Sequence, residues 1–243
     1  EYFEVEQART QPGLKLALTR GGVPAPWSES AKHIFRYKKI PFVPVVQRPG
    51  KENAALVAWT GFRNAPIAIH EPATPKANWA DILSLAERLQ PEPALLPRDS
   101  NTRVQVLGIS AEICAEGGFG WSRRLMMLNQ YAKSDAGRAS VLQTVYEDTP
   151  ENIERAPQRC VEILTMLADR LKEQEAHGSP FLVGEQYSAC DLHWTCFSQM
   201  VAPLPPELAP THPAMFASYA DIGPMVAAHL DPILLRHRDF IYR

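Results

Sequence analysis

The sequence predicts two consecutive domains, an α/β domain built on a small mixed sheet and then an all-helical bundle, and three observations predict it. Short apolar runs of strand length are confined to the first 70 residues. Beyond Val104 the apolar residues recur at helical spacing instead, most regularly at Cys160, Ile163, Leu164, Leu167, Ala168 and Leu171, a stripe wide enough to face a bundle. Between the two textures lie Pro91-Glu92-Pro93 and Leu96-Pro97-Arg98-Asp99, a proline-rich connector. The boundaries that follow are an N-terminal extension over 1–13, the α/β domain over 14–97 and the helical domain over 98–243.

Each element has its own warrant. Leu14 to Leu18 alternates as a strand, and a Pro/Gly turn then leads into a helix over Pro26 to Lys38, with proline at its first position and Glu29 in its first turn. Phe42 to Val46 is a second strand, in which Pro44 points to an edge or an irregular position. A helical or irregular stretch around 52–60 precedes a third strand, Ala65 to Ile69, and then a weak fourth strand or turn near His70 to Lys76. Asn78 to Leu89 places Ile82, Leu85, Ala86 and Leu89 on one helix face. A β-α-β unit demands a parallel pair, so the sheet is mixed and covered by helices. Helical patterns over 104–114 and 123–131 flank a break at Glu116-Gly117-Gly118-Phe119-Gly120, and further helices are expected over 189–200 and 224–235.

Composition excludes several classes. The 25 basic and 27 acidic residues nearly balance, and no Lys/Arg run is long enough to track a phosphate backbone, so nucleic acid is not an expected partner. No apolar run reaches membrane-spanning length, and Glu1-Tyr2-Phe3-Glu4 lacks the basic and apolar regions of a signal peptide, which points away from a membrane. Cys114, Cys160, Cys190 and Cys196 are scattered through apolar segments with no metal-ligand spacing; they read as reduced core residues and indicate a cytoplasmic protein. Asp191 and His193 stand two apart on a helix and so face different ways, which argues against a metal site there.

The segment Pro180-Phe181-Leu182-Val183-Gly184-Glu185-Gln186-Tyr187-Ser188-Ala189-Cys190-Asp191-Leu192 resembles the F-L-x-G-x-x-x-S-x-A-D signature of the glutathione S-transferase superfamily. Its physics stands alone. Ser188 as N-cap can accept from the backbone N–H three residues on, Asp191 can reach back to the N-cap N–H, and Tyr187 can pack on Leu192, so the motif fixes a buried helix start and carries no catalysis. The chain has Ala-Cys-Asp where Ala-Asp or Ala-Ala-Asp is usual, with Ser and Asp keeping their spacing. The resemblance implies a thioredoxin-like N-terminal domain and a helical C-terminal domain, a cytoplasmic homodimer, and glutathione as cosubstrate. It also implies a cis bond at Ala65-Pro66, where backbone groups of Ala65 and Pro66 meet the cysteinyl part of glutathione.

In that superfamily the turn after the first strand carries the residue that addresses the glutathione sulfur. Counting back from Ile40 places that position at Ala25, which has no donor. Thr19, Ser28 and Ser30 are the nearest hydroxyls; Ser28 is best placed for catalysis because a helix first turn offers free N–H groups and a positive dipole end, with Trp27 beside it in the cofactor site. The alternative is a capping or solvated serine. Asn78-Trp79 stands where the family has Glu-Ser or Gln-Ser to grip the γ-glutamyl carboxylate: Asn78 can still cap, while Trp79 closes the pocket, stacks on a different ligand or anchors a domain interface. Around Gly117 to Arg124, the residues Phe119, Trp121 and Arg124 form a candidate substrate pocket for an apolar electrophile with an anionic or aromatic part, unless the aromatics are core and the arginines paired.

The function expected from this is thiolate attack by glutathione on a small, apolar or aromatic electrophile. The rivals are a non-catalytic ligand- or protein-binding module on the same fold, and a thiol-dependent isomerase or ether-cleaving enzyme.

Overall fold

The computed structural model describes residues 1–20, 25–134, 146 and 149–243, with the backbone alone over 131–134, and divides into two compact units, Glu1–Leu95 and Leu96–Arg243. The first unit holds strands β1 (Lys15–Thr19), β2 (Val43–Gln47) and β3 (Ile67–Ile69) in the order β2-β1-β3. Strand β1 pairs parallel with β2, Ala17 opposite Val45, and antiparallel with β3, Ala17 opposite Ile67. Lys15 to Leu18 are all buried, as expected of a central strand covered on both faces. Pro44 is tolerated because Val43 N–H bonds back to Leu14 on the β1 side, while Pro44 itself faces the outer edge.

Residues 1–13 pack into this unit. Phe3 bridges Val45 in parallel, donating to Pro44 O and accepting from Val46 N–H, so it covers the β2 edge. Helix α1 (Val5–Arg9) buries Val5 and Ala8 in one core with Ala17, Val45, Leu56, Ile67 and Ile69. Helix α2 (Pro26–Tyr37) crosses from β1 to β2, has proline at its first position, and buries Ala31, Ile34 and Phe35. At its end the buried Lys38 ammonium lies 2.6 Å from Glu87 and donates to the Pro93 carbonyl at 2.8 Å, tying the helix to the connector. Helix α3 (Ala54–Thr60) and helix α4 (Trp79–Leu89) complete the unit. The fourth strand is reduced to a single bridge, Ala68 with Lys76. The bonds Ala65–Pro66, Glu71–Pro72 and Glu92–Pro93 are cis.

The described part of the second unit is helical: α5 (Ser100–Cys114), α6 (Phe119–Ser134), α7 (Pro150–Ala176), α8 (Ala189–Phe197) continued by a 3-10 turn over Ser198–Met200, α9 (Pro213–Ala220), α10 (Gly223–Ala228) and α11 (Pro232–Ile241). Every residue of α8 is buried, with α5 packed along it and α6 along α7. The stripe from Cys160 to Leu171 is buried throughout. The four cysteines are buried, and none is in a disulfide.

Two of the boundaries that differ from expectation have a clear local cause. The break after α5 is shorter than expected: the chain turns over Ala115 to Gly118 and is helical again at Phe119. A Cβ on Gly118 would lie 2.6 Å from Glu112 O, so only glycine permits that turn. The helix expected over 224–235 is two helices, because Asp231 accepts from Ile233 N–H at 3.0 Å and Pro232 takes a first position, a fresh N-terminus.

Candidate functional site

Strands β1 and β2 run parallel, so their C-terminal ends lie side by side, and there the sequence changes from apolar to polar at Thr19 and Gln47, which are register partners. Helix α2 begins at the same end and sets Ser28, in its first turn, against Thr19. Thr19 N–H donates to Ser28 Oγ at 3.1 Å, the Ser28 hydroxyl donates to Thr19 Oγ1 at 3.2 Å, and Thr19 Oγ1 donates to Gln47 Oε1 at 3.3 Å. The Gln47 amide is fixed in turn, its Nε2 donating to the carbonyls of Arg48 and Arg63 at 3.2 and 3.3 Å. Ser28 and Gln47 are 2% and 3% exposed, whereas Thr19 is only half-buried. The C-terminal edge of a sheet beside a helix N-terminus is where α/β proteins collect ligands.

The other predicted residues of this unit fall as follows. Ala25 is the N-cap of α2 and offers no side-chain donor, and Ser30 turns back to the Trp27 carbonyl at 3.0 Å. Trp27 is half-buried. Ala65 is half-buried and Pro66 buried, on the residues that lead into β3. Asn78 caps α4, accepting from Ala80 N–H at 2.9 Å, and Trp79, its first helical residue, is half-buried.

In the second unit the aromatic and cationic residues separate by helical phase. Phe119 is fully buried, its ring edge-on to Trp194 at 5.5 Å, and belongs to the core. Trp121 is half-buried and tilts against Tyr146 at 4.5 Å. Arg123 is wholly buried: its Nε donates to Met200 O at 2.8 Å, and Nη2 reaches the carbonyls of Ser218, Tyr219 and Asp221 at 3.2 to 3.4 Å. Burial lowers its pKa. Arg124 is half-buried; desolvation works against its charge, but Tyr219 and Tyr146, by their charge and hydrogen bonds, more than offset it and raise its pKa. An open groove of about 540 Å³ lies between α5 and α7, lined by Gly108, Ile109, Ile163 and Met166 among others, and none of Phe119, Trp121 and Arg124 borders it. Its Arg159 is held by Glu112 at 2.6 Å.

At the signature segment, Asp191 is fully buried and Ser188 is the N-cap of α8. Asp191 accepts from Ser188 N–H at 2.9 Å and from Leu182 N–H at 2.8 Å, and its Oδ1 lies 3.2 Å from His237 Nε2 without the alignment of a linear hydrogen bond. His193 faces away, its Nδ1 3.0 Å from the Ser110 hydroxyl, and burial drives its pKa down to about 3. Among the described residues no cluster of His, Cys, Asp or Glu is arranged to hold a metal ion, and no helix is long and apolar enough to cross a membrane.

Sequence reasoning named Thr19 only as an alternative and passed over Gln47. The available signal was positional: each is the polar residue that ends an apolar strand, and parallel pairing brings two such ends together.

No family model matches the chain, and no characterised protein matches it in sequence. Solved structures do resemble it. A glutathione S-transferase from Methylobacterium radiotolerans, in complex with glutathione sulfonate, superposes with a TM-score of 0.65 at 16% identity, over 94% of this chain and 89% of that one. The Tau class glutathione S-transferase of mango gives 0.56 at 17%, over 95% and 97%. Ure2p in complex with glutathione gives 0.58 at 12%, over 93% and 99%.

Proposed function

We propose that this chain, which has the glutathione S-transferase fold, binds glutathione in its N-terminal unit and promotes attack of the glutathione thiolate on a small, apolar or aromatic electrophile. The observation that carries this reading is the Thr19–Ser28–Gln47 hydroxyl network at the strand ends, beside the first turn of α2. It sets the half-buried Thr19 hydroxyl beside the first turn of α2, in the region where the resemblance expects the sulfur to be addressed. A thiol bound there loses its proton to water, and the thiolate is held by hydroxyl and helix N-terminus, both of which favour negative charge. Holding nucleophile and acceptor together supplies the proximity. Neighbours at low identity support the fold; that two of them were solved with glutathione or its sulfonate supports the choice of ligand.

Within this reading Ala65 and Pro66 meet the cysteinyl part of glutathione. Asn78, Trp79 and the start of α4 face its γ-glutamyl carboxylate, and Trp27 flanks the pocket. Trp121 and Arg124 are the residues for the acceptor, an aromatic surface and a retained cation that suit a molecule with an anionic or aromatic part; Phe119, buried against Trp194, is left out of that surface. The chain acts as a cytoplasmic homodimer. A second reading, a non-catalytic binding protein, is favoured by one observation: Ala25 offers no donor.

Calorimetric titration with glutathione, followed by turnover of a generic aromatic electrophile, tests both. Binding weaker than micromolar is expected, because the missing Glu-Ser pair removes charge-assisted hydrogen bonds worth about 1.5–3 kcal/mol each. No heat at millimolar glutathione overturns the proposal. Heat without turnover selects the binding protein.

A further inference from the structure

We infer that Thr19, rather than Ser28, is the hydroxyl that donates to the ligand sulfur, with Ser28 as a positioning residue. The inference rests on the proposed glutathione site. Both Gln47 N–H groups are committed to the carbonyls of Arg48 and Arg63, so its Oε1 faces Thr19 and can only accept. Thr19 must therefore be the donor in that contact, and its lone pair receives the Ser28 proton. The Ser28 oxygen already accepts from Thr19 N–H. Ser28 thus has its proton and one lone pair engaged by a single residue, and at 2% exposure it is screened from a ligand.

Thr19 differs on each point. It is half-buried, it stands on the last position of β1, and the bond it must release is the longest of the three, at 3.3 Å. Hydroxyl hydrogen bonds normally lie at about 2.5–3.0 Å, so turning the Thr19 proton from Gln47 to a sulfur gives up a weak contact. Ser28 continues to donate to Thr19 Oγ1 after that turn, and this polarises the Thr19 O–H and strengthens its donation to a thiolate. The thiol proton leaves to water, and no bond to carbon is made or broken in this step.

The test is the pH titration of the bound glutathione thiolate by its ultraviolet absorbance in wild type, Thr19→Val, Thr19→Ser and Ser28→Ala, beside calorimetry with S-methylglutathione, whose sulfur cannot ionise. Thr19→Val should move the titration alkaline by about one to two pH units, a roughly ten- to hundredfold loss of thiolate at fixed pH, the worth of one hydrogen bond to a charged group. S-methylglutathione affinity should stay within about twofold, because that ligand gains nothing from a thiolate donor. Thr19→Ser should restore the wild-type titration, and Ser28→Ala should shift it less than Thr19→Val does. If the valine variant does not fold, Thr19→Ala, which keeps the backbone bond to Ser28, takes its place. An unchanged titration in Thr19→Val, or a larger shift in Ser28→Ala, overturns the assignment while leaving glutathione binding intact. Failure of the wild type to bind glutathione overturns both this inference and the function it rests on.

Discussion

Replacing Asp191 by alanine separates scaffold from site. The carboxylate is fully buried and accepts three hydrogen bonds, from Leu182 N–H at 2.8 Å, Ser188 N–H at 2.9 Å and the Ser188 hydroxyl at 2.9 Å, with His237 3.2 Å away on α11. Alanine leaves two buried backbone donors without an acceptor and opens a space beside the buried His237 ring. Hydrogen bonds to a charged group contribute about 1.5–3 kcal/mol each, but they are not additive, and the variant is relieved of desolvating a carboxylate. The net expected loss is about 3–5 kcal/mol, chiefly from two buried donors left unsatisfied at about 1–3 kcal/mol each. Asparagine keeps the shape and one acceptor and should recover roughly half of that loss. Urea unfolding at fixed pH reads it as a lower midpoint with an unchanged slope. The calorimetric response to glutathione at low urea should be unaltered, since the proposed thiol site belongs to the other unit. Equal midpoints for Asp191→Ala and wild type would refute the reasoning, and so would lost glutathione binding in a variant of undiminished stability.

Two further outcomes are expected. His193 has its folded pKa depressed to about 3 from an ordinary 6.5, so below pH 6.5 the unfolded chain takes up a proton that the folded chain refuses. Stability should be full above that pH and fall toward pH 3 by up to about 1.4 kcal/mol per pH unit, and His193→Gln should flatten urea midpoints measured across that window. Arg123→Lys should lower the urea midpoint by the equivalent of about 2–4 kcal/mol, because one ammonium cannot serve the carbonyls of Met200, Ser218, Tyr219 and Asp221 together; an unchanged midpoint would mean that water satisfies them.

What the sequence discloses follows from the range over which each feature is decided. The stripe from Cys160 to Leu171, the proline that opens α2 and the spacing of Ser188 and Asp191 are local patterns, and the structure shows each in place. The second start at Asp231-Pro232 was equally local and legible, an N-cap followed by proline, but apolar periodicity runs across it and conceals it. Residues 1–13 carry too little pattern to place: Val5 and Ala8 enter the core only because Phe3 adds to the β2 edge, a pairing over some forty residues. The Thr19–Gln47 contact is non-local in the same way, since it exists only once β1 and β2 lie parallel in register.

Arg123 and Arg124 show why side-chain chemistry is harder to read than fold. They are consecutive, identical and equally basic, and composition cannot rank them. On a helix they stand about 100° apart, so neighbours on the chain look in different directions. Arg123 meets the carbonyl end of α9, whose unsatisfied C=O groups and negative dipole end take its Nη2, while its Nε goes to Met200 O, and it becomes a structural pin. Arg124 meets the tyrosines, which sustain its charge while leaving the residue half-buried. The same phase rule sends Phe119 into the core against Trp194 and Trp121 outward to Tyr146. The sequence sees an aromatic and cationic cluster, and the helix sorts it into Phe119 and Arg123, which hold the bundle together, and Trp121 and Arg124, which stay half-buried beside tyrosines.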